Sequence, residues 1–165
     1  MSAVQSFAPI EAPGAHILLL GTMPGAISLA EQQYYAHPRN AFWRIAGELF
    51  GFDSTLAYTQ RTMELANAGV ALWDVLQSCV RPGSLDAAIE RLSEQPNDIV
   101  ALLQRQPGIR RIGFNGATAA KLFRRHIEPQ LPAERFTYFA LPSTSPAHAG
   151  LSFEKKLAAW RALVA

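Results

Sequence analysis

Short apolar runs alternate with amphipathic stretches along the chain, and this alternation constrains the fold more than any other feature. The runs are His16–Leu20, Val70–Leu76, Arg110–Phe114 and Phe136–Leu141. Runs of this length are typical of strands buried on both faces of a sheet. Strands separated by helices form parallel βαβ units. We therefore expect an α/β protein, a three-layer α/β/α sandwich around a central, mainly parallel four-stranded sheet.

Helical periodicity lies between these runs. The predicted helices are Asn40–Phe50, Thr59–Ala68, Ser84–Leu92, Asn97–Gln106, Ala117–His126 and Phe153–Val164. Gly51 and Gly69 follow the first two, as expected of residues that end a helix. No repeat, linker or low-complexity segment divides the 165 residues, so we expect a single domain over residues 1–165.

Composition narrows the class of protein. With 49% hydrophobic and 17% charged residues, the chain is too apolar and too weakly charged to be disordered. A single cysteine, Cys79, excludes a disulfide framework and a cysteine-based metal site within this chain. Apolar runs such as Ile17–Leu20 are far shorter than the ~20 residues that span a bilayer, and the N-terminus lacks signal-peptide features. We expect a cytoplasmic protein without a membrane partner, metal or cofactor.

Parallel α/β sheets bind ligands at the carboxyl ends of their strands. The predicted loops at this edge are Gly21–Asn40, Asp74–Ser84, Asn115–Gly116 and Pro142–Gly150. Two glycines bracket a proline at the start of the first loop, which exposes backbone N–H groups and permits close approach of a ligand. The last loop carries three hydroxyl side chains between two prolines. These loops are the places to look for function.

The segment Tyr34–Trp43 combines four aromatic side chains with a histidine, an arginine and an asparagine. Aromatic groups beside basic and amide groups suit base stacking together with phosphate binding, and the hydroxyl-rich last loop suits a phosphodiester. Twelve of the 15 basic residues are arginine, which favours bidentate phosphate contacts. A structural interpretation stays open for each loop: a strand-end turn, a helix cap at Asn40 and a rigid surface loop. The sequence has no P-loop, dinucleotide fingerprint or nucleophile elbow.

Taken together, these segments resemble the uracil-DNA glycosylase superfamily. Residues Ile17–Trp43 are similar to the mismatch-specific uracil/thymine branch. The resemblance is closer to the DNA-deoxyinosine (hypoxanthine-DNA) glycosylase branch, whose motifs read like Gly21–Gly25, Tyr34–Asn40 and Leu141–Ala147. It covers nearly the whole chain, in the right order.

Three positions depart from the patterns of the superfamily. Met23 stands where the mismatch branch has a water-positioning asparagine, and Leu141 stands where the classical uracil enzymes have a histidine. His148 stands where the deoxyinosine branch commonly has an asparagine. Neither of the first two side chains can take over the missing role. The resemblance to the deoxyinosine branch assigns the catalytic amide to Asn40 instead.

The resemblance implies a monofunctional DNA glycosylase that flips out a deaminated base, hypoxanthine above others, and hydrolyses its N-glycosidic bond. The abasic site would pass to downstream repair enzymes of base excision repair. Asn40 would orient the attacking water. The implied base-binding residues are Gly21, Thr22, Met23, Tyr35 and Asp74, and the implied DNA-binding residues are Pro24, Gly25, His37, Arg39, Ser143, Thr144, Ser145, Pro146 and His148. No lysine lies in these motifs, so we expect no Schiff-base lyase step.

Asp74 follows the second apolar strand, where a carboxylate can read a base. Hypoxanthine carries an N1–H donor where adenine carries a lone pair, so an ionised Asp74 would accept from the former and repel the latter. Uracil also offers an N–H donor, so Asp74 alone cannot separate the two lesions. A turn-capping role for Asp74 stays open.

Three other interpretations remain. The chain could be a uracil- or mismatch-specific glycosylase on the same scaffold. The absence of the usual asparagine and histidine makes an inactive lesion-binding protein credible. The weak net charge of +2 is the only support for an unrelated α/β hydrolase of small molecules.

Overall fold

A four-stranded parallel sheet forms the centre of the protein. The structure, a computed structural model, describes residues 2–148 and 150–165. Its strands are β1 (Ala3–Gln5), β2 (Ile17–Gly21), β3 (Val70–Asp74), β4 (Leu76–Val80), β5 (Gln95–Pro96), β6 (Arg111–Asn115) and β7 (Thr137–Leu141). The large sheet has the order β3-β2-β6-β7, and each neighbouring pair is parallel. The predicted central sheet is confirmed.

The central strand β2 shows why these runs are apolar throughout. Ile17 and Leu19 join one hydrophobic core, whereas Leu18 and Leu20 join the other, on the opposite face of the sheet. Successive side chains of a strand point to opposite faces, so a sheet covered on both sides needs apolar residues at every position.

Helices cover both faces of this sheet. They are α1 (Ala26–Glu31), α2 (Phe42–Phe50), α3 (Tyr58–Asn67), α4 (Ile99–Arg105), α5 (Ala117–His126) and α6 (Phe153–Trp160). Buried residues of α2, α3 and α6 belong to the core of Ile17 and Leu19, and those of α4 and α5 belong to the other core. The three-layer sandwich is confirmed, although α1 was not predicted and α6 is shorter than expected, with a 3-10 turn over Arg161–Val164.

The segment after β3 differs from the prediction in two ways. The predicted strand Val70–Leu76 ends at Asp74, and β4 follows it in a second sheet of order β1-β4-β5 with antiparallel pairs. The predicted helix Ser84–Leu92 is wrong, because this segment forms only short 3-10 turns. Its Leu85 and Leu92 side chains are exposed and have no core to pack against. Its backbone serves β4 instead, since the Glu90 N–H donates to the Val80 carbonyl.

The chain connections create a crevice at one end of the large sheet. The connection that leaves β2 leads to α2 and α3, while the connection that leaves β6 leads to α5 on the opposite face. Neighbouring parallel strands whose connections part in this way open a cleft beyond their carboxyl ends. The fold thus places the predicted functional loops around one cleft.

No helix in the described part of the chain is both long and apolar enough to cross a bilayer.

Candidate active site

A cavity of about 760 Å³ lies at the carboxyl ends of the parallel strands. Every site residue predicted from the sequence lines it except Arg39. These lining residues are Gly21, Thr22, Met23, Pro24, Gly25, Tyr35, His37, Asn40, Asp74, Ser143, Thr144, Ser145, Pro146 and His148. Arg39 is exposed outside the cavity, so a contact to DNA would have to be made on the outer surface. Ligand cavities have volumes of roughly 300–1,000 Å³, and this one has room for a flipped nucleobase.

Three buried polar atoms in the cavity lining have no hydrogen-bond partner in the described part of the chain. They are Thr22 Oγ1, Tyr35 Oη and Asp74 Oδ2. A buried polar atom without a partner costs about 1–3 kcal/mol, and native structures hold few of them. Three in one cavity mark groups that can bind water or a ligand that enters it.

Gly21 makes room for two of these groups. A Cβ atom at this position would lie 2.6 Å from Asp74 Oδ1 and 2.7 Å from Tyr35 Oη. Real Cβ contacts are not that short, so any other residue would push the two side chains apart. Gly21 was predicted to let a ligand approach the backbone closely. It also lets the Asp74 and Tyr35 side chains lie close to the backbone at this point.

Asp74 is 3% exposed and has an unusual carboxyl group. Burial and the nearby Asp86 carboxylate raise the pKa of Asp74 to about 7, while the Arg81 guanidinium opposes the shift. The raised pKa makes a neutral, protonated carboxyl accessible near neutral pH. From the sequence, only the ionised form was considered.

The Tyr35 backbone is held in a conformation that L-residues rarely adopt, with φ of 54°. Such strain of about 1–3 kcal/mol is typical of functional sites. The Tyr35 ring stacks on Phe42 with centroids 4.3 Å apart, which fixes its orientation. Burial, together with the Asp74 charge, raises the pKa of the Tyr35 hydroxyl, so this group remains a donor at any physiological pH. The prediction that Tyr35 stacks on the base stays a prediction.

Asn40 bonds to the start of α2 and also lines the cavity, while its catalytic role stays a prediction. Its Oδ1 accepts a 2.9 Å hydrogen bond from the Phe42 N–H at the start of α2, and the residue lines the cavity. An amide oxygen has two acceptor positions, so this bond leaves one position free. The cap therefore orients Asn40 without using up its capacity to bind water.

Arg81, which sequence reasoning missed, holds the first loop in place. This side chain is only 4% exposed. Its guanidinium donates to the carbonyl oxygens of Gly83 at 3.0 Å, Met23 at 3.5 Å and Pro24 at 2.7 Å. A guanidinium offers donors in a rigid fork, so it fixes several carbonyl groups at once. Its role could not be seen in the sequence, where Arg81 lies in the predicted loop Asp74–Ser84.

Asn115 holds the last loop from the end of β6. Its Nδ2 donates to Thr144 Oγ1 at 3.0 Å, and its Oδ1 accepts from the Thr144 N–H at 2.9 Å. Thr144 is 1% exposed, so its side chain serves the loop, and the prediction that Thr144 binds DNA stays a prediction. Asn115 also lines the cavity, and the argument that selected Asp74 would have selected it too.

A lysine lies beneath the last loop, although none occurs in its sequence. Lys156 on α6 is buried, which lowers the pKa of its amine. Its Nζ donates to the Ser145 carbonyl at 3.4 Å, and Trp160 Nε1 donates to the Pro142 carbonyl at 2.9 Å. Lys156 supports the loop from behind and is not among the residues that line the cavity.

The segment between β4 and β5 adds residues that the sequence analysis did not select. Asp86 lines the cavity, and burial raises the pKa of its carboxyl, partly offset by the nearby Thr22 hydroxyl and Arg81. Thr22 Oγ1 lies close to this carboxyl but makes no hydrogen bond of normal distance and angle with it. Ser84 accepts a 2.8 Å hydrogen bond from the Ala26 N–H through its hydroxyl. Neither Asp86 nor Ser84 was selected from the sequence, because the segment Ser84–Leu92 was predicted to be a helix. Within residues 2–148 and 150–165, no three His, Cys, Asp or Glu side chains lie close enough to share a metal ion.

Comparison with known proteins identifies the family. The family model of the uracil DNA glycosylase superfamily matches residues 8–164. The chain belongs to this superfamily. The hypoxanthine DNA glycosylase of Methanosarcina barkeri is 33% identical over 145 residues, which cover 87% of each chain. The hypoxanthine DNA glycosylase of Methanosarcina acetivorans is 34% identical over 148 residues, which cover 89% of each chain.

A solved structure supports the same assignment. It is a solution NMR structure from Methanosarcina acetivorans of a protein whose name places it with the uracil DNA glycosylases. The alignment has a TM-score of 0.81 at 32% identity and covers 99% of this chain and 100% of the other. The family resemblance and the fold inferred from the sequence are confirmed. Within this superfamily, the cavity at the strand ends is the candidate active site.

Proposed function

We propose that this protein is a monofunctional DNA glycosylase that removes hypoxanthine from DNA and leaves an abasic site. Two relatives at 33% and 34% identity are hypoxanthine DNA glycosylases. An enzyme of base excision repair acts on chromosomal DNA, so we also propose that it works in the cytoplasm and delivers its product to abasic-site repair enzymes.

The observation that carries this proposal is the group of unpaired polar atoms of Thr22, Tyr35 and Asp74 inside a cavity large enough for a base. A flipped nucleobase offers N–H donors and carbonyl or ring-nitrogen acceptors along its edges. Entry of the base would pair these atoms and recover part of the few kcal/mol that unstacking costs. A surface that only binds duplex DNA has no need of such groups.

Hydrolysis of the bond needs a positioned water molecule. The sugar passes through an oxocarbenium-like state, which water attacks readily once it is held in place. The free acceptor position on Asn40 Oδ1 suits this task, because the bond to the Phe42 N–H fixes the amide. A Schiff base with the sugar needs an amine in the cavity, and none of the lining residues is a lysine. The abasic strand would therefore remain uncut.

A panel of lesions tests the proposal. Matched duplexes that carry hypoxanthine, xanthine, uracil or thymine opposite guanine are incubated with the protein and then split, with one half treated with hot alkali. We expect alkali-dependent breaks with hypoxanthine and no breaks without alkali. Breaks with uracil alone would make the protein a uracil glycosylase, and tight binding without breaks would make it a lesion-binding protein.

A further inference from the structure

The Asp74 carboxyl is fixed in the cavity wall without a partner for a negative charge. The residue ends β3, and its backbone carbonyl accepts a 2.8 Å hydrogen bond from Asn97 Nδ2, so the main chain cannot move away. Its Oδ2 is fully buried and unpaired within the described residues. An ionised carboxylate in this place would lack both a cation at bonding distance and an N–H donor to that oxygen.

Among the described residues, the charged and titratable groups around Asp74 do not supply a partner for an ionised carboxylate. On the loop after α1, Tyr34 and Tyr35 stay neutral, because burial raises the pKa of each hydroxyl. On the segment between β4 and β5, Asp86 adds a second negative charge. After β4, Arg81 directs its donors to carbonyl oxygens of the main chain and not to Asp74. A buried charge without a partner is expensive, so the burial of Asp74 and its unpaired Oδ2 favour a neutral carboxyl.

A neutral carboxyl has one capacity that a carboxylate lacks, since it can donate a proton. We propose that Asp74 is the general acid of base release, donating its proton to N7 of the departing purine. This inference rests on the proposed function and assigns Asp74 a step in it. It replaces the expectation that an ionised Asp74 accepts a hydrogen bond from N1–H.

The step balances without any co-reactant. The N9–C1′ bond breaks and its electron pair enters the purine ring, while N7 takes the proton of Asp74, so hypoxanthine leaves as a neutral molecule. Water oriented by Asn40 adds to C1′ and gives its proton to solvent. Solvent then reprotonates Asp74. A carboxyl whose pKa lies near 7 can donate and recover a proton at neutral pH, which is the condition for effective acid catalysis.

The proposal makes Asp74 a determinant of base class. Uracil has no ring nitrogen equivalent to N7, so this acid would assist purines and not pyrimidines. Adenine does have N7, so the choice of hypoxanthine over adenine has to come from other groups of the cavity. Asp74 would thus distinguish purine lesions from pyrimidine lesions, which the superfamily scaffold alone does not do.

The test compares two substrates that differ at one atom. Duplexes carry 2′-deoxyinosine or 7-deaza-2′-deoxyinosine, in which C–H replaces N7 while N1–H and O6 are kept. Single-turnover rates of base release are measured for the wild type, for Asp74→Asn, and for Glu64→Gln as a control, since Glu64 is exposed on α3. The intrinsic difference between the two glycosidic bonds is the same for each protein, so it cancels when the rate ratios are compared.

We expect Asp74→Asn to lower the rate on deoxyinosine by about 100-fold or more and to leave the rate on the 7-deaza substrate unchanged. The rate ratio of the control should equal that of the wild type. Equal losses on both substrates, or a loss of less than about threefold on deoxyinosine, would overturn the role of Asp74 as an acid. Failure of the wild type to release hypoxanthine from any duplex would instead overturn the proposed function itself.

The pH profile supplies a second readout, which holds even if Asp74→Asn does not fold. The wild-type rate below saturation should fall about tenfold per pH unit above pH 7, as the acid loses its proton. Asp86→Asn removes a charge that raises the pKa of Asp74, so this basic limb should move to lower pH while the preference for N7 is kept. An unmoved limb, or loss of the N7 preference in Asp86→Asn, would overturn the assignment to Asp74.

Discussion

The two ends of the parallel sheet differ in how they treat buried polar groups. Near the amino ends, Gln106 is 6% exposed and fully paired. Its Nε2 donates to Glu11 Oε1 at 2.9 Å and to the Ala12 carbonyl at 3.0 Å, and its Oε1 accepts from the Ala15 N–H at 3.2 Å. At the carboxyl ends, Asp74 is 3% exposed and its Oδ2 has no partner within the described residues.

This difference separates groups that serve the fold from groups that serve a ligand. A paired buried amide contributes to stability, whereas an unpaired one costs free energy that the rest of the core has to offset. A sequence keeps such a cost only where another molecule supplies the missing partner. At the carboxyl end of the sheet, unpaired groups lower the stability of the fold and are available to bind a ligand. At the amino end, the paired Gln106 contributes to stability.

The largest expected effect comes from Asn40, which bonds to the start of α2 and is also the residue proposed to hold the attacking water. Asn40→Ser keeps a side-chain oxygen that can bond to the start of α2 but removes the amide proposed to hold the water. We expect the single-turnover rate of hypoxanthine release to fall about 100-fold or more, with a melting temperature close to that of the wild type. Thermal melts and single-turnover assays on the same preparation check this. A lower melting temperature with an unchanged rate would show that Asn40 is only a cap.

A smaller effect is expected from filling the space in front of Asp74. Gly21→Ala places a Cβ 2.6 Å from Asp74 Oδ1, and the displacement that it forces on this carboxyl should lower the rate by about tenfold or more, because misplacing a reacting group by ~1 Å can cost about 100-fold. The matched change is Gly150→Ala, whose Cβ would meet nothing within 4 Å. We expect its rate to stay within a few-fold of the wild type. Similar losses for both changes would mean that crowding beside Asp74 is irrelevant.

The third effect concerns stability rather than rate and follows from the sign of the pKa shift of Asp74. The folded state raises this pKa from 3.8 to about 7 and so holds the proton more tightly than the unfolded chain does. The resulting stability is fully present below about pH 4 and is lost as the pH rises to 7, a change of about 4 kcal/mol.

Asp74→Asn removes this titration. We expect the variant to exceed the wild type in free energy of unfolding by about 1–3 kcal/mol at pH 8, because an unpaired amide costs less than an unpaired charge. The advantage should shrink towards pH 4. Urea titrations at pH 4, 6 and 8 measure the difference, and a gap that does not depend on pH would show that Asp74 has an ordinary pKa in the folded protein.

The sequence predicted the features that depend on local pattern. Each parallel strand was found because a sheet covered on both faces needs uninterrupted apolar runs such as Ile17–Leu20. The helix Ala117–His126 was found because its apolar residues recur at helical spacing. Ser84–Leu92 was mistaken for a helix, since its tie to β4 through Glu90 and Val80 is a tertiary contact that no periodicity records.

For the site, sequence reasoning found many of the residues that line the cavity, but it missed Asp86 and the residues that hold the loops in place. Asp74 and Asn40 follow strand ends or open a helix, so their positions could be inferred. Arg81 acts on carbonyl groups more than 50 residues away in the chain, and Asn115 acts on Thr144 through a contact that only the folded chain creates. The raised pKa of Asp74 could not be inferred from the sequence either, because it depends on burial and on the nearby Asp86 carboxylate.

The most direct test of the central claim deletes two unpaired oxygens without changing shape. The measurement is the single-turnover rate of hypoxanthine release by the double variant Thr22→Val/Tyr35→Phe, with Gln106→Met as the matched change at the amino end. If the carboxyl-end groups serve the base, the double variant should lose about 10- to 100-fold in rate and melt no lower than the wild type. Gln106→Met should melt lower and keep its rate. A double variant that melts lower and releases hypoxanthine at the wild-type rate would contradict the account.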